Sequence, residues 1–153
     1  MSDSKIYRTG IRGAVALANR LAKARDKDEA IRIAVADNDI ESLERLLREG
    51  ADINAAKGKY ETSILMEAAV RGNLAIIKLL LERGANVNQA DRDGWTALMG
   101  ATVEGRIESV KLLLDNGADV NAKNHDGERA LVMATRMKHA EIKDALLEHG
   151  AEG

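Results

Sequence analysis

A short run recurs along the chain at a nearly fixed interval: GADIN from Gly50, GANVN from Gly84 and GADVN from Gly117, then a shortened GAE from Gly150. The glycines stand 34, 33 and 33 residues apart, and each is preceded by paired leucines in LERLLREG, IKLLLERG, VKLLLDNG and KDALLEHG. Aligning Leu65–Asn88 with Leu98–Asn121 gives 13 identities in 24 positions, far more than composition alone supplies. A period of this size means one supersecondary unit repeated in space, each burying its apolar face against its neighbours.

The interior of a unit is helical. Ile107, Val110, Leu113 and Leu114 form one apolar stripe, as a helix packed on one side requires. Ahead of ALMGATVE, Thr96 offers a hydroxyl to cap free backbone N–H groups, and Gly117 suits the left-handed residue just past a helix end. Between units, ADVNAKNHDGE carries the turn pair Asp126-Gly127. Each unit therefore reads as two short helices and a finger-like loop. Composition agrees: 45% of residues are hydrophobic, there is no phenylalanine, and Tyr7, Tyr60 and Trp95 are the only aromatics. Slim aliphatic side chains suit packed helices, whereas strands favour aromatic and β-branched residues, so an all-α chain is expected.

The 33-residue period, the GADVNA run, DRDGWTAL and GRIESVKLLLDNGA together resemble the ankyrin repeat. That resemblance implies an all-α solenoid of stacked helix-turn-helix units with β-hairpin-like fingers. Units are expected at about 29–54, 55–88, 89–121 and 122–153, behind an N-terminal segment 1–28. The family's T-P-L-H tetrapeptide stands here as Ser63-Ile64-Leu65-Met66, Thr96-Ala97-Leu98-Met99 and Arg129-Ala130-Leu131-Val132. The proline and histidine are lost, but helix pairing rests mainly on the aliphatic stripe. AAKGKYET, between Asn54 and Ser63, is one residue longer than its counterpart between Asn88 and Thr96, so that finger is expected to bulge or extend. In the last unit Lys143 replaces Leu43, Ile77 and Val110, and Lys138 replaces Gly72 and Gly105. Polar residues there fit a terminal cap and an array of four units.

Residues 10–25 read as a short amphipathic helix, with Ile11, Ala14, Val15, Ala18, Leu21 and Ala22 on one side. It is expected to cover the apolar flank of the first unit. A basic membrane-surface or acidic-partner helix built on Lys5, Arg8, Arg12, Arg20, Lys23, Arg25 and Lys27 is the competing reading. Lys5, Arg8 and Arg12 also precede an uncharged run as in a secretory signal, but Gly13–Asn19 is short for one and Arg20 interrupts it. A cytoplasmic chain with no cleaved signal is therefore expected.

Little points to chemistry. The 23 basic and 25 acidic residues give a net charge of -2, which draws neither nucleic acid nor a membrane, and no apolar run reaches spanning length. There is no cysteine, and His125, His139 and His149 lack metal-site spacing, so no metal or cofactor is expected. The carboxylate pairs Asp91/Asp93 and Asp126/Glu128 sit in turns and are expected to stabilise them. An enzymatic role would need a pocket around one pair and a strongly raised pKa.

What remains is a surface. The resemblance implies that a partner protein docks on the finger tips and first helices of a concave face. Carried over by position, the finger residues are Lys59, Tyr60 and Thr62, then Arg92, Asp93 and Trp95, then His125, Asp126 and Glu128. The helix residues are Arg71, Glu104, Arg136 and Met137. Trp, Tyr and Arg are the types that most often dominate binding energy, and Met adapts its shape. Trp95 has a second reading, as a ring that only stiffens the stack. Mixed charge along the face argues against a nucleic-acid groove. The expected function is a non-enzymatic, monomeric protein-binding module or scaffold. The alternative is an inhibitor or immunity-type protein that blocks one enzyme, and an engineered binder fits the unequal repeats less well.

Overall fold

The computed structural model describes the backbone of residues 2–153 and the side chains of residues 13–153. Lys5, Tyr7, Arg8, Ile11 and Arg12 lie outside the described side chains. The chain forms two compact units, one running to Asp52 and the other Ile53–Gly153.

The first unit holds α1 (Ser2–Ala22), α2 (Lys27–Ala36) and α3 (Ile40–Arg48). Each of the two shorter helices starts on an aspartate. Asp26 accepts the Glu29 amide at 2.7 Å and Asp39 accepts the Ser42 amide at 3.1 Å, satisfying N–H groups that a first turn leaves free. α2 thus begins inside the segment 1–28. α1 ends at Ala22 rather than near residue 25, and its seating differs from the expected stripe. Ala14, Val15 and Ala18 are exposed, whereas Leu17 and Leu21 are half-buried. These two leucines stand one turn apart and offer more apolar area than the alanines, so they set the helix rotation. α1 packs on α2, and a groove of about 580 Å³ is lined by Leu17, Leu21, Ala30 and Leu46 among others.

The second unit runs β1 (Ala56–Lys57), β2 (Thr62–Ser63), α4 (Ile64–Arg71), α5 (Leu74–Glu82), α6 (Ala97–Val103), α7 (Ile107–Asp115), α8 (Ala130–Met137) and α9 (Ala140–Glu148). The helices form three successive pairs, α4–α5, α6–α7 and α8–α9. First helices pack on first helices, α4 on α6 and α6 on α8, and second helices likewise, α5 on α7 and α7 on α9. Leu80, Leu113 and Leu146 occupy equivalent places and are each 0% exposed. Gly100 marks the closest approach of α4 and α6, since a Cβ there would lie 2.8 Å from a Val70 methyl.

The lost proline and histidine of the tetrapeptide leave the helix starts intact. Ser63 and Thr96 accept the Met66 and Met99 amides at 3.2 and 3.4 Å, while Arg129 contributes no side-chain cap to α8. Adjacent modules are tied instead by side chains from the next repeat. Arg106 donates Nε to the Val70 carbonyl at 3.0 Å, and the His139 ring nitrogen Nε2 lies 3.2 Å from the Val103 carbonyl. Both cross a glycine: a Cβ on Gly72 would lie 3.2 Å from Arg106 Cδ, and one on Gly105 would lie 3.0 Å from His139 Cε1. Lys138, at the equivalent place in the last pair, is exposed with φ 62°, and Lys143 is exposed where Leu43, Ile77 and Val110 are buried.

Asparagines form a second set of ties. Asn54 accepts the Asn86 amide at 2.8 Å, Asn88 the Asp119 amide at 2.7 Å and Asn121 the Glu152 amide at 2.9 Å. Asn88 and Asn121 also donate to the Gly117 and Gly150 carbonyls, each at 3.1 Å. These are the last residues of the recurring GADIN-type runs.

Candidate functional site

The fingers of the second unit are rigid because each closes on itself and then on its neighbour. In the finger before α6, Asp91 Oδ1 accepts the amides of Asp93 and Trp95, both at 2.9 Å, and the Asp91 amide donates to the Trp95 carbonyl at 2.8 Å. Before α8, Asn124 does the same for Asp126 at 3.1 Å and Glu128 at 2.9 Å. Asp91 therefore stabilises its turn as expected. In the next finger that work falls to buried Asn124, and the expectation for Asp126 and Glu128 is corrected accordingly. A short amide or carboxylate can reach backbone N–H groups two and four residues on, which the longer Glu128 side chain does not do here.

The finger before α4 has Gly58 at this place and no such side chain. Its extra residue is absorbed by the β1–β2 ribbon, with Ala56 opposite Ser63 and Lys57 opposite Thr62, and by left-handed residues at Gly58 and Glu61. Glu61, φ 56°, stands where the other fingers have Gly94 and Gly127 at φ 81° and 77°.

Between fingers the backbone is continuous in hydrogen bonding. The Arg92 amide donates to the Tyr60 carbonyl at 2.8 Å, and the His125 amide to the Asp93 carbonyl at 2.9 Å. Tyr60, Arg92, Asp93 and His125 are thereby brought together in one ladder. Tyr60 is 49% exposed, large for an aromatic, and Lys59 Nζ lies 5.1 Å from its ring centre. Trp95 is half-buried, at the place held by half-buried Thr62 and Glu128 in the neighbouring fingers. The ring is neither in the core nor fully free.

The charged residues divide. Arg136 forms a two-pronged ion pair with Glu128, its Nη2 3.3 Å from Oε2, tying the last turn of α8 to its own finger. The Arg136 hydrogen bond holds the Glu128 carboxyl below its ordinary range, partly offset by desolvation, and the same bond pushes the Arg136 guanidinium upward. Arg71 pairs along α4 with Glu67 at 3.1 Å. Among the described residues the Arg92 guanidinium reaches the Lys59 carbonyl, at 3.5 Å, and no carboxylate. Glu104 and Met137 stand exposed at the ends of α6 and α8, with no side-chain hydrogen bond or ion pair to a finger among the described residues. Val70, 36% exposed, and Met137, 45% exposed, add apolar area on the first helices.

Glu128 is shifted downward, opposite to a general acid. His139 and His149 each face a backbone carbonyl, and no group of three His, Cys, Asp or Glu among the described residues is placed to hold a metal ion. No helix among the described residues is long and apolar enough to cross a membrane.

Comparison with known proteins places this geometry. A family model described as ankyrin repeats (3 copies) matches residues 31–124, more than half of the chain. The chain is 39% identical over 64 residues to the potassium channel AKT1 of Oryza sativa subsp. indica, covering 42% of this chain and 7% of the channel. It is 39% identical over 66 residues to the mitochondrial disaggregase of Homo sapiens, covering 43% of this chain and 9% of that protein. With ankyrin repeat and SOCS box protein 6 of Mus musculus it shares 43% identity over 70 residues, 45% of this chain and 17% of the relative. The match thus spans less than a fifth of each of these relatives.

Proposed function

Because the chain belongs to the ankyrin-repeat family, whose repeats generally mediate protein–protein interaction, we propose that it is a non-catalytic binding module. It holds another polypeptide against the fingers and first helices of residues 53–153. The observation that carries this reading is Tyr60, 49% exposed on a finger whose carbonyl is bonded to the next finger. A large amphipathic ring exposed on a fixed backbone gives contact area with little ordering entropy lost on binding. The same proposed face takes in Thr62, Arg92, Asp93, Trp95, His125, Asp126 and Glu128 on the fingers and Arg71, Glu104, Arg136 and Met137 at the helix ends. Occlusion of one partner by a single copy of the chain, an enzyme's site among the possible targets, is the action such a preformed face performs. Residues 1–28 act as a cap on the apolar flank of the first repeat, residues 29–54.

Affinity of the recovered partner for wild type and for Tyr60→Ala/Trp95→Ala, measured by calorimetry, tests the reading. The double variant is expected to bind at least about tenfold more weakly, about 1.4 kcal/mol, with helicity unchanged. Loss of helicity would assign Trp95 to stiffening instead, and unchanged affinity in a folded double variant would defeat the proposal.

A further inference from the structure

We infer that Lys59, Arg92 and His125 form one strip across three successive fingers that takes an extended acidic segment of the partner, with acidic residues at alternate positions. This rests on the protein-binding reading above and adds the chemistry of what is bound.

The three residues occupy equivalent places, 33 apart in the chain, and the finger ladder holds them in line: Arg92 N–H on Tyr60 O at 2.8 Å, His125 N–H on Asp93 O at 2.9 Å. Two of the side chains lean back onto the preceding finger. The Arg92 guanidinium lies 3.5 Å from Lys59 O, and His125 Cδ2 would be 2.9 Å from a Cβ on Gly94. Lys59 Nζ stays over the Tyr60 ring at 5.1 Å. The result is a run of N–H donors beside an exposed aromatic, and all three residues are exposed. Arg71 and Arg136 already hold Glu67 and Glu128, whereas Lys59, Arg92 and His125 form no ion pair among the described residues. Their donors are available to an incoming carboxylate, and a charge-assisted bond to Arg92 is stronger than its 3.5 Å carbonyl contact.

The neighbouring places decide the kind of ligand. Tyr60, Asp93 and Asp126 follow Lys59, Arg92 and His125 directly in sequence. A polyphosphate chain, charged at every step, meets those aspartates as well as the cations. An extended peptide turns alternate side chains to one side, so alternating acids face the strip and the intervening residues face Tyr60 and its equivalents.

The test is fluorescence anisotropy of the full chain with a labelled, end-blocked peptide of alternating glutamate and alanine, about twelve residues and roughly 40 Å extended. Its lysine–alanine counterpart and a single-stranded oligothymidylate serve as comparators. The acidic peptide alone is expected to bind, more weakly as salt rises, and Lys59→Glu/Arg92→Glu is expected to lower its affinity at least about tenfold. Lys78→Glu/Lys111→Glu, at exposed positions of α5 and α7, is expected to change it little. No binding of the acidic peptide, equal loss in both charge-reversed variants, or oligothymidylate bound as tightly would overturn the strip. If Lys59→Glu/Arg92→Glu still binds the protein partner as wild type does while Tyr60→Ala/Trp95→Ala does not, the strip falls and the binding face stands. If neither variant loses the partner, both fall.

Discussion

Replacing Gly94 with alanine, beside the matched replacement of Gly127, isolates how closely the fingers are stacked. The two glycines hold the same place in successive fingers with nearly the same backbone, φ 81° and 77°. An L residue in that conformation costs about 1–2 kcal/mol at either site. The surroundings differ. A Cβ on Gly94 would lie 2.9 Å from His125 Cδ2, 3.0 Å from the His125 backbone nitrogen and 3.1 Å from Asn124 Cα, whereas nothing stands within 4 Å of one on Gly127. Two of the three contacts are backbone and cannot swing aside, so the next finger must move and strain its Asp93–His125 bond. Overpacking of this kind adds about 1–3 kcal/mol. Gly94→Ala is therefore expected to lose roughly 2–5 kcal/mol and Gly127→Ala about 1–2 kcal/mol. Urea unfolding followed by far-UV circular dichroism gives both values, provided the slopes agree, and Trp95 fluorescence reports whether the Gly94 finger loosens first. Losses equal within about 0.5 kcal/mol would refute the argument that the next finger sits against Gly94.

Three further outcomes follow from the same geometry. Asn88→Ala removes the bonds to the Asp119 amide and the Gly117 carbonyl and is expected to cost about 1–2 kcal/mol, read as a lower urea midpoint. Glu61→Gly relieves a left-handed residue at φ 56° and is expected to raise stability by up to about 1 kcal/mol, the added freedom of the unfolded chain offsetting part of the gain. Glu128 titrates below its ordinary value of 4.5 because of Arg136, so its contribution is present above that value and fades as pH falls through the folded-state value. Glu128→Gln is expected to flatten the fall in melting temperature below about pH 4.5 and to leave the curve's shape near neutrality unchanged.

The repeat period, the paired leucines and the capping Thr96 were legible in the sequence because each is a local signal with a fixed spacing. So was the extended second finger, whose extra residue had to go somewhere. The ties between modules were hidden in plain view. Asn54, Asn88 and Asn121 recur at the period, which marks them as structural, but their partners lie about thirty residues away and only the stack brings them close. Arg106 and His139 share no residue type at all, and what marks them is the glycine that each crosses. Leu17 escaped because a helical stripe drawn through small residues fixes the rotation of α1 poorly. Among the candidate binding residues, sequence places Arg71, Arg92 and Arg136 alike. The ion pairs that separate them depend on Glu67 and Glu128 reaching across a turn and across a loop.

Hydrogen exchange of the full chain, free and saturated with its protein partner, tests the binding face most directly. Slowed exchange is expected in residues 58–62, 91–95 and 124–128 and at the C-terminal turns of α4, α6 and α8, with α5, α7 and α9 unchanged. Protection confined to α5, α7 and α9, with the fingers exchanging as in the free protein, would contradict it.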